Sequence, residues 1–242
     1  MLSNKNTDWS KLYNIYETNF REIYKTRAKP QNDSHFTLIK RYYRKGIFNK
    51  NYIFGEIGFG AGLTLRMASN LFKEVWGLDV SPQNIEITKN ELKVEGYENV
   101  KLEVCDILEF NKKFVNRFDV ISFVHGLEHF SDDDYQILFG SIKKYLKKNG
   151  YFTGALPYNL DFNYRICPNC GEIFEIDGHL SKHDLDSIRN LFLKHGFKIV
   201  YLNNFNLEFY LKDEKFFNKL LKLIYYILKK PTSQIEYIVQ KV

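Results

Sequence analysis

The chain has 242 residues, 44% of them apolar and 26% charged, which is ordinary for a globular protein and enough for one large domain. The 35 Lys and Arg against 29 Asp and Glu leave a formal charge of +6, too mild to demand a nucleic-acid partner but suited to an anionic substrate or membrane surface. No run approaches the roughly 20 apolar residues of a membrane span, no basic-flanked apolar stretch reads as a signal peptide, and 3 cysteines make no disulfide framework, so a reducing cytoplasm is the expected compartment.

In chain order, Trp9, Leu12, Tyr13, Tyr16, Phe20, Ile23 and Tyr24 recur at helical spacing. The polar run 29–34 interrupts them, and a second helix carries Phe36, Leu38, Ile39, Tyr42 and Tyr43 up to Gly46. Residues 1–46 are therefore expected to form a helical cap beside the sheet or over a ligand. A buried strand over 51–57 follows, ending in Glu56-Ile57 and then Gly58, Gly60 and Gly62, with a helix beginning near Thr64. Strand, glycine turn and helix bring backbone close to a nucleotide-like ligand.

Strands are predicted over 74–79, 100–104 and 118–124. Ser81-Pro82 caps an intervening helix that stops near Gly96. Asp132-Asp133-Asp134 opens the next helix, expected to run through Lys143, Lys144, Lys147 and Lys148 to Asn149-Gly150. A strand over 151–156 stops at Pro157, and 158–180 reads as irregular. A helix over 185–195, a strand over 197–206, a Lys-rich amphipathic helix over 209–230 and a last strand over 233–242 complete the chain. No repeat or low-complexity linker divides it, so one elaborated α/β domain is expected. It comprises a core over 47–157, an insertion over 158–182 and a C-terminal part over 183–242.

The ligand of the glycine turn can be narrowed from the residues. A dinucleotide fingerprint needs a glycine where this chain has Leu63 or Leu65, and no Lys-Ser/Thr follows as in a P-loop. Glu56 would repel a pyrophosphate and suits a cationic end, such as the amino group of an amino acid. Asp79, 23 residues on, ends its strand where a carboxylate can accept both hydroxyls of a ribose. Asp106 ends the next and can accept from an adenine amino group. Amino acid, ribose and adenine together describe S-adenosylmethionine.

Glu56-Ile57-Gly58-Phe59-Gly60-Ala61-Gly62, Gly77-Leu78-Asp79-Val80-Ser81, Cys105-Asp106-Ile107 and Phe118-Asp119-Val120-Ile121 resemble, in order and spacing, the motifs of class I S-adenosylmethionine-dependent methyltransferases. The resemblance covers about 48–230 and the last strand. It implies a Rossmann-like, mostly parallel seven-stranded sheet of order 3-2-1-4-5-7-6, strand seven antiparallel, with helices on both faces. It also implies Gly58, Gly60 and Gly62 against the methionine part, Asp79 on the ribose and Asp106 near the adenine. Glu56, Val80 and Ile107 complete the expected cofactor-binding set, Glu56 standing where Asp is commoner.

By the open-sheet rule, His125-Gly126-Leu127-Glu128-His129 lies where acceptor and methyl group meet. A histidine can take a hydroxyl proton near neutral pH, so His125, His129 and Glu128 are the candidate catalytic residues. Glu128-His129 resembles a motif of quinone-biosynthesis O-methyltransferases, in many of which the histidine shapes the loop. Small-RNA 2′-O-methyltransferases carry Glu-x-x-Glu-His and a later histidine around a divalent metal; here His125 occupies the first place and His179 the last. Separately, Cys167 and Cys170 with His179 and His183 spell C-x2-C-x8-H-x3-H, four candidate zinc ligands. The alternative is a tight turn with two reduced cysteines.

The expected function is methyl transfer, to oxygen, on a small molecule such as a sugar, glycan intermediate or lipid-like metabolite. Methylation of RNA or protein, or cofactor binding without catalysis, are the alternatives. No nucleic-acid-binding module is recognisable. The 209–230 helix would pack on the sheet or touch a membrane surface.

Overall fold

The computed structural model describes residues 34–204 and 234–242. The helix expected within 1–33 and the Lys-rich helix expected over 209–230, with its membrane contact, lie outside the described residues. Among the described residues no helix is long and apolar enough to cross a membrane.

The elements are α1 (Ser34–Arg44), β1 (Ile53–Ile57), α2 (Leu63–Ser69), β2 (Glu74–Asp79), α3 (Pro82–Val94), β3 (Val100–Val104), β4 (Phe118–Val124), α4 (Asp132–Tyr145), β5 (Leu146–Pro157), β6 (Tyr164–Ile166), β7 (Ile173–Glu175), α5 (Leu185–Lys194), β8 (Phe197–Asn203) and β9 (Gln234–Lys241). One seven-stranded sheet runs β3-β2-β1-β4-β5-β9-β8. Pairing is parallel from β3 through β5, and β9 is antiparallel to both its neighbours. This is the order expected from the sequence, with β9 as strand seven and β8 as strand six.

Local chemistry sets the helix starts. The Ser81 hydroxyl accepts from the Asn84 N–H at 3.0 Å, with Pro82 in the first turn of α3. Ser131 donates its N–H and its hydroxyl to Asp134, at 2.9 and 2.6 Å, at the start of α4. The C-terminus of α4 departs from expectation. The helix stops at Tyr145, and Leu146, fully buried, already pairs with Phe118. Lys147 is drawn out of the helix by Asp119, 2.7 Å from its Nζ, and Asn149 takes a left-handed φ of 61°. Lys147 and Lys148 thus open β5 through an irregular pairing instead of closing a helix. The insertion also gains structure: β6 and β7 pair as a ribbon across the Cys167–Cys170 turn.

The abundant aromatics are mostly core. On one face Phe139, Phe152, Phe192, Phe197 and Tyr237 pack together under α4 and α5; on the other Phe54 stacks on Phe72 at 5.0 Å beneath α1. Rings of this size dominate core energetics because each removes a large apolar area from water. Tyr237 of β9 lies across Gly154 of β5, and its hydroxyl donates to the Phe123 carbonyl at 3.1 Å. The strand that ends in the His125 loop is thereby tied to the far half of the sheet.

Candidate active site

Parallel strands all end at one edge of the sheet, and there the turns after β1, β2, β3 and β4 surround a cleft of about 660 Å³. Gly58, Gly60 and Gly62 have φ of 60°, 50° and 72°, conformations that glycine adopts freely. The Gly58 N–H donates to the Leu78 carbonyl at 2.8 Å, joining the turn to the end of β2. Among the described residues a Cβ on Gly60 would meet nothing within 4 Å, and Gly58 and Gly60 both line the cleft.

Gly62 does not line it. A Cβ there would lie 3.0 Å from Arg66 Nη1 and 3.1 Å from Thr88. Arg66 donates to the Ala61 and Gly62 carbonyls and pairs with Glu91 of α3 and with Glu95, the residue that caps its C-terminus. Gly62 therefore shapes the entry to α2. Glu56 is likewise buried (4% exposed) at the end of β1 and is absent from the cleft lining.

Asp79 is buried at 6% exposure yet borders the cleft. Its Oδ1 accepts from the Ser81 N–H at 2.9 Å and its Oδ2 from Asn84 Nδ2 at 2.9 Å. A carboxylate at the border of the cleft is an acceptor of the kind that hydroxyl groups of a ligand meet. The Asn84 amide also donates to the Gly60 carbonyl at 3.0 Å, clamping the glycine turn to the carboxylate. Sequence reasoning passed over Asn84; its signal was the third position after the Ser81 cap. Asp106 is exposed, its Oδ1 accepting from the Leu108 N–H, and Val80 and Ile107 line the same end.

The opposite wall is the loop after β4. His125 has a left-handed φ of 51°, rare for a side chain of its size. Its ring is half exposed, with Nδ1 3.5 Å from Glu128 Oε1. A Cβ on Gly126 would lie 2.0 Å from the Phe123 ring, which occupies that space beside the cleft. Glu128 is 1% exposed, and its Oε2 has no hydrogen-bond partner among the described residues. His129 donates from Nδ1 to the Gly178 carbonyl at 3.2 Å; burial pulls its pKa down, only partly offset by Glu128.

The insertion is registered on this loop by its backbone. The Leu180 and Ser181 N–H groups donate to the Glu128 carbonyl at 2.8 and 3.1 Å. His179 consequently lies against His129, ring centroids 5.0 Å apart. Glu128, His129 and His179 each bring a ligand-type atom within 4.8 Å of the others.

The four-residue zinc set is not assembled. Among the described residues, no group of three or more potential ligands includes Cys167, Cys170 or His183. His183 is instead buried with Nε2 2.8 Å from the Tyr135 hydroxyl, which also meets Ser181 Oγ at 2.7 Å and donates to the Leu127 carbonyl. The cysteines sit at the ribbon turn, where the Cys167 N–H donates to the Glu172 carbonyl and Cys170 is exposed. His179 alone of the four joins the cleft.

Burial lowers the pKa of His183 below 6.5 despite the pull of Glu128, Asp132 and Asp184; burial and the charges of Lys194 and Lys143 lower that of His195. Both groups bind a proton less readily folded than unfolded, so unfolding takes up protons below pH 6.5 and stability falls as the pH drops through that value. Urea midpoints measured on either side of pH 6.5 are expected to show the decline. His183→Asn should flatten its slope, and an unchanged slope would contradict the assignment.

Four carboxylates border the cleft (Asp79, Asp106, Glu128 and Asp177), and its lining, among the described residues, includes no Lys or Arg. Such a wall disfavours a pyrophosphate and favours a cation.

Comparison with known proteins agrees with this fold. Residues 55–150 match the model of a methyltransferase domain family. Over 106 residues the chain is 37% identical to a ubiquinone biosynthesis O-methyltransferase of Pelagibacter ubique, covering 42% of this chain and 40% of that protein. The chain spans about two fifths of the length of the curated relatives it matches. An S-adenosylmethionine-dependent methyltransferase from Clostridium acetobutylicum superposes with a TM-score of 0.64 at 17% identity, over 97% of this chain and 99% of that one. The cyclase SpnF shares the fold with a TM-score of 0.61 at 13% identity, covering 96% and 94% of the two chains.

Proposed function

We propose that this chain, whose residues 55–150 match the model of a methyltransferase domain family, transfers the methyl group of S-adenosylmethionine to an oxygen of a small molecule. The observation that carries this reading is the cleft's charge among the described residues: four carboxylates, no bordering Lys or Arg, and a backbone cradle at Gly58 and Gly60. The residues fit the cofactor. Among the described residues, open space at the Gly60 Cβ position admits the methionine part, and the Asp79 carboxylate borders the cleft as an acceptor for ribose hydroxyls. Asp106 offers an acceptor for the adenine amino group, with Val80 and Ile107 beside the ring. Glu56, buried at the end of β1, would place a carboxyl group beneath the glycine turn on the side of the ligand's amino group.

When bound, the cofactor supplies an electrophilic methyl on a sulfonium sulfur. The protein must align the acceptor and accept its proton. His125, half exposed at the cleft and backed by Glu128, is suited to take that proton. His129 is held by Gly178 and orders the wall. Oxygen as the methylated atom draws support from the name of the Pelagibacter relative. The rest of the acceptor wall is the insertion, through Ile176, Asp177 and His179.

Calorimetry with S-adenosylhomocysteine is expected to show one site per chain. Label from methyl-labelled cofactor should pass to a hydroxyl-bearing metabolite fraction. Absence of cofactor binding would sink the reading; binding without transfer to any acceptor would leave a cofactor-binding protein.

A further inference from the structure

We propose that the Cys167–Cys170 turn is half of a zinc site, and that two copies of the chain meet at their β6–β7 ribbons to complete it with four thiolates. The site lies at the tip of the insertion and does not rest on the methyl-transfer reading.

The turn has the form that a metal-binding pair needs. The Cys167 N–H donates to the Glu172 carbonyl at 2.7 Å and the Gly171 N–H to the Cys167 carbonyl at 2.8 Å, with Gly171 at a left-handed φ of 75°. Inside this frame the Cys167 sulfur accepts from the Asn169 and Cys170 N–H groups and has the Cys170 thiol as a further hydrogen-bond partner. Backbone donors turned toward a sulfur stabilise negative charge on it, and the thiolate is the form that binds a metal. The spacing of the two cysteines is that of a structural zinc pair. Cys167 is half-buried and Cys170 exposed, so the pair faces outward.

A structural zinc takes four ligands, and this chain has no further thiolate or imidazole to give. The third cysteine, Cys105, is buried beyond the end of β3. The 6 histidines are all engaged elsewhere. His35 meets Ser122, His125 meets Glu128, His129 lies against His179, His183 meets Tyr135, and His195 lies against the Phe139 ring. Residues 1–33 and 205–233 contain neither cysteine nor histidine. The missing soft ligands must therefore come from another molecule.

The surface around the turn fits a second copy. Tyr164, Ile166, Ile173 and Phe174 are all exposed, and Ile166 pairs with Ile173 directly beside the turn. Apolar side chains gathered this way on a protruding ribbon gain by being covered. Arg165 and Glu172, both exposed, add one charge of each sign, which a two-fold axis can match across the contact. The same axis doubles two sulfurs to the four that zinc requires. A ribbon tip is smaller than a stable interface, so association depends on the ion. Zinc displaces the remaining thiol protons as it binds.

The whole chain, purified under reductant and loaded with Zn(II), is expected to hold half an equivalent of zinc and to sediment as a dimer. A chelator should return it to monomer. X-ray absorption should show four sulfurs at about 2.3 Å from the metal. Cys167→Ser and Cys170→Ser should each lower bound zinc at least about tenfold and abolish the dimer, since a structural site needs its full ligand set. His179→Gln should change neither. Ile166→Glu keeps the sulfurs but sets like charges face to face, and should raise the dimer dissociation constant at least about tenfold. Urea midpoints of the zinc-free variants, matching the parent, vouch for folding. One equivalent of zinc on a monomer, nitrogen or oxygen in the ligand shell, zinc retained by either serine variant, or a dimer that survives the chelator would each overturn the proposal. So would an unchanged dissociation constant for Ile166→Glu, or a Cys167–Cys170 disulfide and no metal.

Discussion

Replacing Asp79 by alanine is expected to weaken S-adenosylhomocysteine binding by about two orders of magnitude. Two hydrogen bonds from ribose hydroxyls to one carboxylate contribute about 1.5 kcal/mol each at the low end for a charged partner, and about 1.4 kcal/mol is tenfold in affinity. The carboxylate also accepts from the Ser81 N–H and from Asn84 Nδ2. Alanine therefore leaves both donors short and releases Asn84 from its bridge to Gly60. Asp79→Asn keeps the shape and one acceptor oxygen and should fall between parent and alanine. Calorimetry on the three proteins decides it. A loss of less than about threefold for alanine, well under the 1.4 kcal/mol that makes a tenfold change, would mean that the ribose is held elsewhere.

The largest effect on stability is expected from Gly154→Ala, in the middle of β5. The added Cβ would lie 2.0 Å from the Phe123 carbonyl oxygen and 2.3 Å from the Tyr237 hydroxyl. The first is backbone of the adjacent strand and cannot step aside; the second belongs to a phenol whose surroundings are fully packed. Overpacking costs about 1–3 kcal/mol, and forcing the Tyr237 hydroxyl off its carbonyl leaves buried polar groups unmade at about 1–3 kcal/mol more. A loss of about 2–6 kcal/mol follows from these two together. The urea midpoint reads it, with Gly154→Ala in a Tyr237→Phe background as the control. Removing the hydroxyl should recover part of the loss. Because Phe123 leads into His125, the variant should also bind S-adenosylhomocysteine less tightly under conditions where it is folded.

Much of the fold was legible because its signals are local. Asp79 ends β2, Ser81-Pro82 starts α3, and the apolar run of β4 lies in the interior of the sheet; each needs only neighbours in the chain. The end of α4 was misread for a physical reason. A run of lysines before Asn-Gly matches a helix C-terminus, but Lys147 finds Asp119, 28 residues away, and the chain leaves the helix earlier. The site divides the same way. Asp79, Asp106, Gly58 and Gly60 border the cleft as their places at strand ends required. Glu56 and Gly62 share their motif yet lie outside the lining, because burial and the Arg66 clamp are not visible in spacing. The histidines were grouped by a metal-finger spacing that the backbone does not honour. His183 went to Tyr135, and His179 to Glu128 and His129, through hydrogen bonds across about 50 residues that no sequence periodicity encodes.

The two ends of the insertion meet. Tyr158 bridges to His183, and the Asn159 N–H donates to the His183 carbonyl at 2.7 Å. The segment between them is closed at its neck, and each doubling of its length would add only about 0.6 kcal/mol to the entropic cost of joining its ends. Such a segment can be exchanged as a cassette. Grafting a different loop between positions 159 and 183 would redraw the wall that carries Ile176, Asp177 and His179 while leaving the glycine turn and Asp79 as they are. On the methyl-transfer reading, the acceptor and the cofactor would thus be met by separate stretches of the chain.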